Sequence, residues 1–165
     1  MNEENRKMTH PSFRPTLERC VGRDPVMAQA LGDLLGLQLC QIARFTYRSL
    51  CAESGDESIS DLFHSIAAES LDHLRLLGRL TQALGGNPIL RIQGGSPPQG
   101  PREPTASTRE WLCRMLSDSI REKRCEIDMG QTVMGKTRDR VVRSLISAYL
   151  ADLYRQIEAL QAAMK

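Results

Sequence analysis

The chain has 165 residues, enough for one domain to bury a hydrophobic core without disulfide or metal staples. Its 22 Lys and Arg residues against 20 Asp and Glu leave a formal net charge of +2, which gives no electrostatic basis for nucleic-acid binding. Histidine occurs only at His10, His64 and His73. A zinc site with three histidine ligands would therefore require all of them, including the one in the N-terminal tail.

The sequence shows no targeting or membrane-spanning signal, so we predict a cytoplasmic protein without membrane association. The polar N-terminus, MNEENRKMTHPSFRP, lacks the apolar core of a signal peptide, and we find no run of about 18 apolar residues. The cysteines are odd in number and never in C-x-x-C spacing, a usage typical of a reducing compartment. They are Cys20, Cys40, Cys51, Cys113 and Cys125.

The first half of the chain predicts an arm and two helices. Residues 1–23 are polar and rich in proline, so we expect a flexible arm. Asp24-Pro25 combines an N-cap acid with a proline at the first helical position, and the helix should run to about Glu53. A sequence resembling a capping box, Ser58 to Asp61, predicts the second helix, which stops at Gly85-Gly86-Asn87-Pro88.

The second half repeats this plan after a long connection. Residues 86–106 are rich in glycine and proline and have no periodicity. Ser107 and Glu110 form a capping box for a third helix, which Gly135 should break. A fourth helix is predicted from about Asp139 to Met164.

No segment alternates like a strand, so we predict an all-α fold for residues 24–165. Two helical hairpins joined by a long crossover form a four-helix bundle of the ferritin-like kind. An ordinary four-helix domain would give the same pattern.

Several polar side chains fall on the apolar stripes of three helices. They are Gln38, Glu69 and His73, with Glu122 and Glu126 on or beside the stripe of the third helix. Buried charge is costly unless it is compensated. Glu69 and His73 lie one turn apart, so both could reach one interior point. A metal ion or a closed hydrogen-bond network would each satisfy the set.

The sequence resembles the ferritin-like superfamily, in particular its bacterial rubrerythrin-like and manganese-catalase-like members. The resemblance spans residues 24–164 and is strongest in "QLCQIARFTYRSL", "IAAESLDHLRLLGRLTQALGGNP" and "IREKRCEID". It implies two iron or manganese ions, held by a Glu from helices one and three and by Glu-x-x-His from helices two and four. The implied chemistry is that of an oxidase, a peroxidase, a catalase or an iron store.

The ligand pattern of those members is degenerate in this chain. The helix-one Glu position falls on Gln38, and Ser70 precedes His73 where Glu is expected, with Glu69 one residue earlier. The helix-three Glu falls on Glu122, with Glu126 as a second candidate. The helix-four ligand positions hold Leu153 and Gln156.

Three interpretations follow for the interior, one of them an intact two-metal centre. The leading one is a metal-free buried network in a structural or interaction module, with no catalytic residues and no resident cofactor. A second is a single Fe, Mn or Zn ion on Glu69, His73 and Glu122 or Glu126. With such a site, the chain would be a redox enzyme that reacts with oxygen or peroxide. The resemblance also implies a homodimer or larger homo-oligomer, and a different protein partner is compatible with it.

Overall fold

The structure, a computed structural model, describes Leu17, residues 21–88 and residues 108–165. These residues form four helices: α1 (Pro25–Ala52), α2 (Glu57–Ala83), α3 (Thr108–Lys136) and α4 (Arg140–Ala163). No strand occurs among them, which confirms the all-α prediction. The predicted arm, apart from Leu17 and 21–23, and the predicted connection beyond Pro88 lie outside the described residues.

Aspartate side chains begin three of the helices. Asp24 accepts a hydrogen bond from the backbone N–H of Met27 at 2.9 Å, with Pro25 at the first helical position, as predicted. Asp139 caps α4 in the same way, through the N–H groups of Val141 and Val142. Both caps satisfy N–H groups that the helix itself cannot pair.

The start of α2 differs from the prediction. Asp56, not Ser58, is the N-cap residue, and its carboxylate accepts from the N–H groups of Ser58 and Ile59 at 3.0 and 3.1 Å. Donation from the Ser58 hydroxyl and from these N–H groups lowers the pKa of Asp56. The capping box Ser58–Asp61 is therefore wrong, because a stronger cap lies two residues upstream.

The predicted break at Gly135 is also wrong. Helix α3 continues to Lys136, and the turn into α4 is made by the three residues that follow. Thr137 is buried there, and its hydroxyl accepts from the N–H of Asp139 at 3.2 Å. Gly135 weakens a helix without ending it, since its backbone can still adopt helical angles.

The helices pack as two antiparallel hairpins. Helices α1 and α2 form one hairpin and α3 and α4 the other, with further contacts between α1 and α3 and between α2 and α4. A Cβ on Gly130 would lie 2.7 Å from the Leu150 side chain, so glycine permits the close approach of α3 to α4. Phe45, Phe63 and Tyr149 are among the largest fully buried side chains at the centre of this arrangement.

Helix α1 is the most apolar of the four described helices. Among the described helices it alone is long and apolar enough to cross a membrane by length and composition, a test that core helices also pass. The search of the sequence for unbroken apolar runs did not find this helix. Small and amide side chains interrupt its apolar residues. Only 44% of its apolar window is buried in the bundle, so part of this helix faces outward.

Candidate functional site

A fully buried carboxylate, Glu126 on α3, lies at the centre of the bundle. Its Oε1 accepts hydrogen bonds from Gln38 Nε2 on α1 at 2.5 Å and from the Tyr149 hydroxyl on α4 at 2.6 Å. The Gln38 amide also donates to the Tyr149 oxygen at 2.9 Å. Three helices thus contribute to one network around a single carboxylate oxygen.

The second oxygen of Glu126 binds a lysine. Lys123 Nζ lies 2.9 Å from Glu126 Oε2, and both side chains have no exposed surface. The two residues are three positions apart on α3, so one helix face presents them together. The ammonium also lies 5.1 Å from the centre of the Phe45 ring, close enough for a cation–π interaction. Glu126 is therefore neutralised by a cation that belongs to the chain.

Tyr149 connects this centre to His73. Burial and the neighbouring Glu126 carboxylate raise the pKa of Tyr149 well above its usual value, so the phenol stays neutral and donates a hydrogen bond to Glu126. The His73 ring packs edge-on against the Tyr149 ring, with 4.9 Å between the ring centroids. His73 Nε2 lies 3.3 Å from Asp152 Oδ2, at the rim of the bundle.

Some buried polar atoms of the bundle have no hydrogen-bond partner among the described protein atoms. In α1 and α2 they belong to Gln38 (Oε1), Gln41 (Oε1), Ser70 (Oγ) and His73 (Nδ1); the others are Trp111 Nε1 and Gln156 Oε1. Ser70 and His73 lie one turn apart on α2, where the resemblance implied Glu-x-x-His. The Glu126 carboxylate itself has partners for both oxygens, whereas Gln38 Oε1 beside it and the α2 atoms of Ser70 and His73 have none among the described residues.

Glu122, the first helix-three candidate, lies at the edge of the bundle. Arg48 on α1 donates to its two oxygens at 2.8 and 2.9 Å, and Arg44 lies 3.5 Å away. Arg48 also donates to the Ser119 hydroxyl. Of the two helix-three candidates, Glu126 is the one that points inward, because Arg48 holds Glu122 at the junction of α1 and α3.

Glu69 lies at a different edge, between α2 and α4. Its carboxylate accepts from Gln156 Nε2 at 2.7 Å and from Arg155 at 3.3 Å. Its side chain is 34% exposed. Glu69 and His73 therefore do not share a partner, although they are one turn apart.

The structure thus brings Gln38 and Glu126 into contact and binds Glu69 and Glu122 to other groups. Within the described part of the chain, no cluster of three or more His, Cys, Asp or Glu side chains is placed to hold a metal ion. Lys123 was not among the residues predicted from the sequence. Its spacing was the available signal, since it lies seven residues after Leu116 and three before Glu126, on the buried face of α3.

The fold is similar to that of a known metalloprotein. Bacterioferritin from Rhodobacter capsulatus, solved at 2.6 Å with a metal-free dinuclear site, has 18% sequence identity and a TM-score of 0.60. The match covers 87% of this chain and 86% of that chain. No protein-family model and no curated protein matches the sequence. The likeness confirms the ferritin-like four-helix bundle as the fold.

Proposed function

We propose that this chain is a non-catalytic ferritin-fold protein, a structural or interaction module whose centre is neutralised by lysine rather than by metal ions. The observation that carries the proposal is the ion pair between Lys123 and Glu126, which has no exposed surface. A buried carboxylate needs a positive partner. Here that partner is covalently part of the chain.

The donor set around Glu126 does not fit a two-metal centre. Both of its oxygens are engaged, one by the Lys123 ammonium and the other by Gln38 and Tyr149. An ammonium this close would repel a divalent cation strongly in a poorly hydrated interior. The metal would also meet an amide N–H of Gln38 where a carboxylate ligand is needed.

The remaining helices do not restore the missing ligands. On α4, Leu153 is fully buried and apolar, and Gln156 donates to Glu69. On α2, Ser70 stands three residues before His73. Two hard cations need several carboxylates to offset their charge, and these positions supply none.

The alternative is the redox enzyme with a single Fe, Mn or Zn ion on Glu69, His73 and Glu122. It requires Glu122 to leave Arg48 and Glu69 to leave Gln156. The unpartnered Nδ1 of buried His73 is the observation in its favour. The double variant Glu69→Ala/His73→Ala separates the hypotheses, since it should abolish metal uptake and peroxide consumption in an enzyme and change neither in a structural module.

The direct test is the metal dependence of stability. A metal that binds only the folded chain raises its free energy of unfolding in proportion to the logarithm of metal concentration. We expect the urea unfolding midpoint to be the same in EDTA, Mn²⁺, Fe²⁺ and Zn²⁺. A rise of the midpoint with any of these ions, lost in the His73→Ala variant, would contradict the proposal.

Localisation and assembly complete the proposal. We place the protein in the cytoplasm as a homodimer or larger homo-oligomer, without nucleic acid. Its four described cysteines carry free thiols, which is compatible with a reducing compartment. Fractionation of cells tests the location, and sedimentation of the purified chain tests the assembly.

A further inference from the structure

A cleft of about 540 Å³ lies along the exposed side of the second half of α2. A cleft of this size is large enough for a small organic molecule. Leu74, Gly78 and Gln82 of α2 line it at intervals of about one turn, flanked by Arg75 and Arg79. The cleft therefore follows about two turns of the helix.

The charged side chains of this cleft carry one sign. Among the described residues that line it, Arg75 and Arg79 are basic and none is acidic. They lie one turn apart on one face of the helix, where like charges repel. Arg75 contacts the exposed carboxylate of Asp72 at 3.0 Å, whereas Arg79 has no ion-pair partner within the described parts of the chain. An anion bound between the two arginines would remove this repulsion.

The cleft also has an apolar part, built from three segments of the chain. Leu17 precedes α1, Leu74 lies on α2 and Pro88 follows that helix. Leu17 belongs to the hydrophobic core, and Leu74 packs against the core. The close packing of the bundle therefore holds both leucines in place. A ligand that covers the whole cleft needs an apolar body as well as an anionic group.

Gly78 gives the cleft its depth. Glycine destabilises a helix interior relative to alanine, and packing does not require it here. Apart from its own helix, a Cβ at this position would meet only Leu35 Cδ2 among the described atoms, at 3.9 Å, which is an ordinary contact. Gly130 differs, because a Cβ there would collide with Leu150. The space in front of Gly78 is therefore part of the cleft, and a larger side chain would fill it.

We infer that this cleft binds an amphipathic anion, a small molecule that joins one carboxylate or phosphate group to an apolar body. The guanidinium groups of Arg75 and Arg79 donate hydrogen bonds to its anionic oxygens, since the planar guanidinium matches both head groups. The amide of Gln82 is a further donor. The apolar body lies over Gly78 and against the two leucines. The inference adds a ligand to the proposed module and does not depend on the ion pair at the centre of the bundle.

Isothermal titration calorimetry with a matched set of probes tests the ligand class. Octanoate and octyl phosphate carry both features, octanol lacks the charge, and acetate lacks the apolar body. We expect the wild-type chain to bind octanoate or octyl phosphate at least about tenfold more tightly than octanol or acetate, because charge-assisted hydrogen bonds and apolar burial then act together. The tighter of the two amphiphiles identifies the head group. Added salt should weaken its binding, since both arginines are exposed.

Two pairs of variants test the place of binding. Arg79→Gln should weaken the binding of the tighter amphiphile at least about tenfold, whereas Arg124→Gln, which changes an exposed arginine of α3, should not alter it. Gly78→Leu should abolish binding by filling the cleft, whereas Gly78→Ala should retain most of it. Both substitutions at Gly78 favour the helix, and circular dichroism spectra should show each variant to be folded.

Several results would overturn the inference. They are the absence of wild-type binding to either amphiphile, an affinity for octanol equal to that for the amphiphiles, and an equal affinity for acetate. Undiminished binding in Gly78→Leu or Arg79→Gln would place the site elsewhere. Binding of wild type to phosphatidylglycerol vesicles, without binding of octanoate or octyl phosphate, would identify a membrane surface instead. None of these readouts involves a metal ion, so failure here leaves the proposed function standing.

Discussion

Two glutamates one turn apart on α3, Glu122 and Glu126, lie in different environments. Glu126 is fully buried and pairs with Lys123, which is also fully buried. Glu122 is 22% exposed and pairs with Arg48, which is 14% exposed. The residue type and the charge of the partner are alike, whereas access to water differs. Glu126 therefore depends on Lys123 to compensate its buried charge. Glu122 is also hydrated, so Arg48 only adds to the stabilisation that water provides.

On the proposed function, this difference is what lets a ferritin-like interior be stable without metal ions. A carboxylate at the edge can turn to water if its partner is lost, whereas one at the centre cannot. The chain supplies the central cation itself, three residues before the carboxylate it neutralises. Removing the cation from each pair should lower the free energy of unfolding more at the centre than at the edge.

The largest effect is expected at Lys123. Lys123→Met leaves Glu126 as a buried charge with no cation and should lower the free energy of unfolding by about 3–5 kcal/mol. The double variant Lys123→Met/Glu126→Gln should recover most of this loss, since both charges are then absent. Urea denaturation measures both values, with the exposed Arg124→Met as control. A loss below about 1 kcal/mol for the single variant would refute the assignment.

An intermediate effect is expected at Tyr149. Tyr149→Phe removes one donor from Glu126 and should cost about 1–3 kcal/mol. Because the folded pKa of Tyr149 is raised above its usual value of 10.0, the associated stability is complete below about pH 10 and is lost as pH rises above it through the folded pKa. The alkaline decline should therefore be smaller in Tyr149→Phe than in wild type. The surface variant Tyr154→Phe should decline like wild type, and identical curves for all three chains would contradict this account.

The smallest effect is expected at the edge. Arg48→Met should cost about 1 kcal/mol, because Glu122 is partly hydrated and keeps Arg44 nearby. The cost should fall as salt is added, since exposed pairs are screened. Unfolding at low and high salt measures both quantities. If Arg48→Met proved as damaging as Lys123→Met, the contrast between centre and edge would be lost.

The fold was predictable because its signals are local. Asp24-Pro25 and Asp139 carry their capping chemistry on their own side chains. The start of α2 was misplaced because two N-cap candidates, Asp56 and Ser58, lie two residues apart. Only the geometry of the cap decides between them.

The site was less predictable because its partners are distant in sequence. Helical spacing placed Gln38 on an inward stripe, and it contacts Glu126. The same spacing allowed either Glu122 or Glu126 to point inward, and the choice depends on Arg48, more than seventy residues away. Lys123 was overlooked because a lysine is rarely buried unless it is paired.

Metal analysis of the purified wild-type chain tests the central claim most directly. The protein is expressed in medium rich in iron and manganese, purified without chelators, and analysed by mass spectrometry of the elements together with its amino-acid content. The account predicts far less than one Fe, Mn or Zn ion per chain, because Lys123 already neutralises Glu126. Two equivalents of Fe or Mn per chain would contradict it.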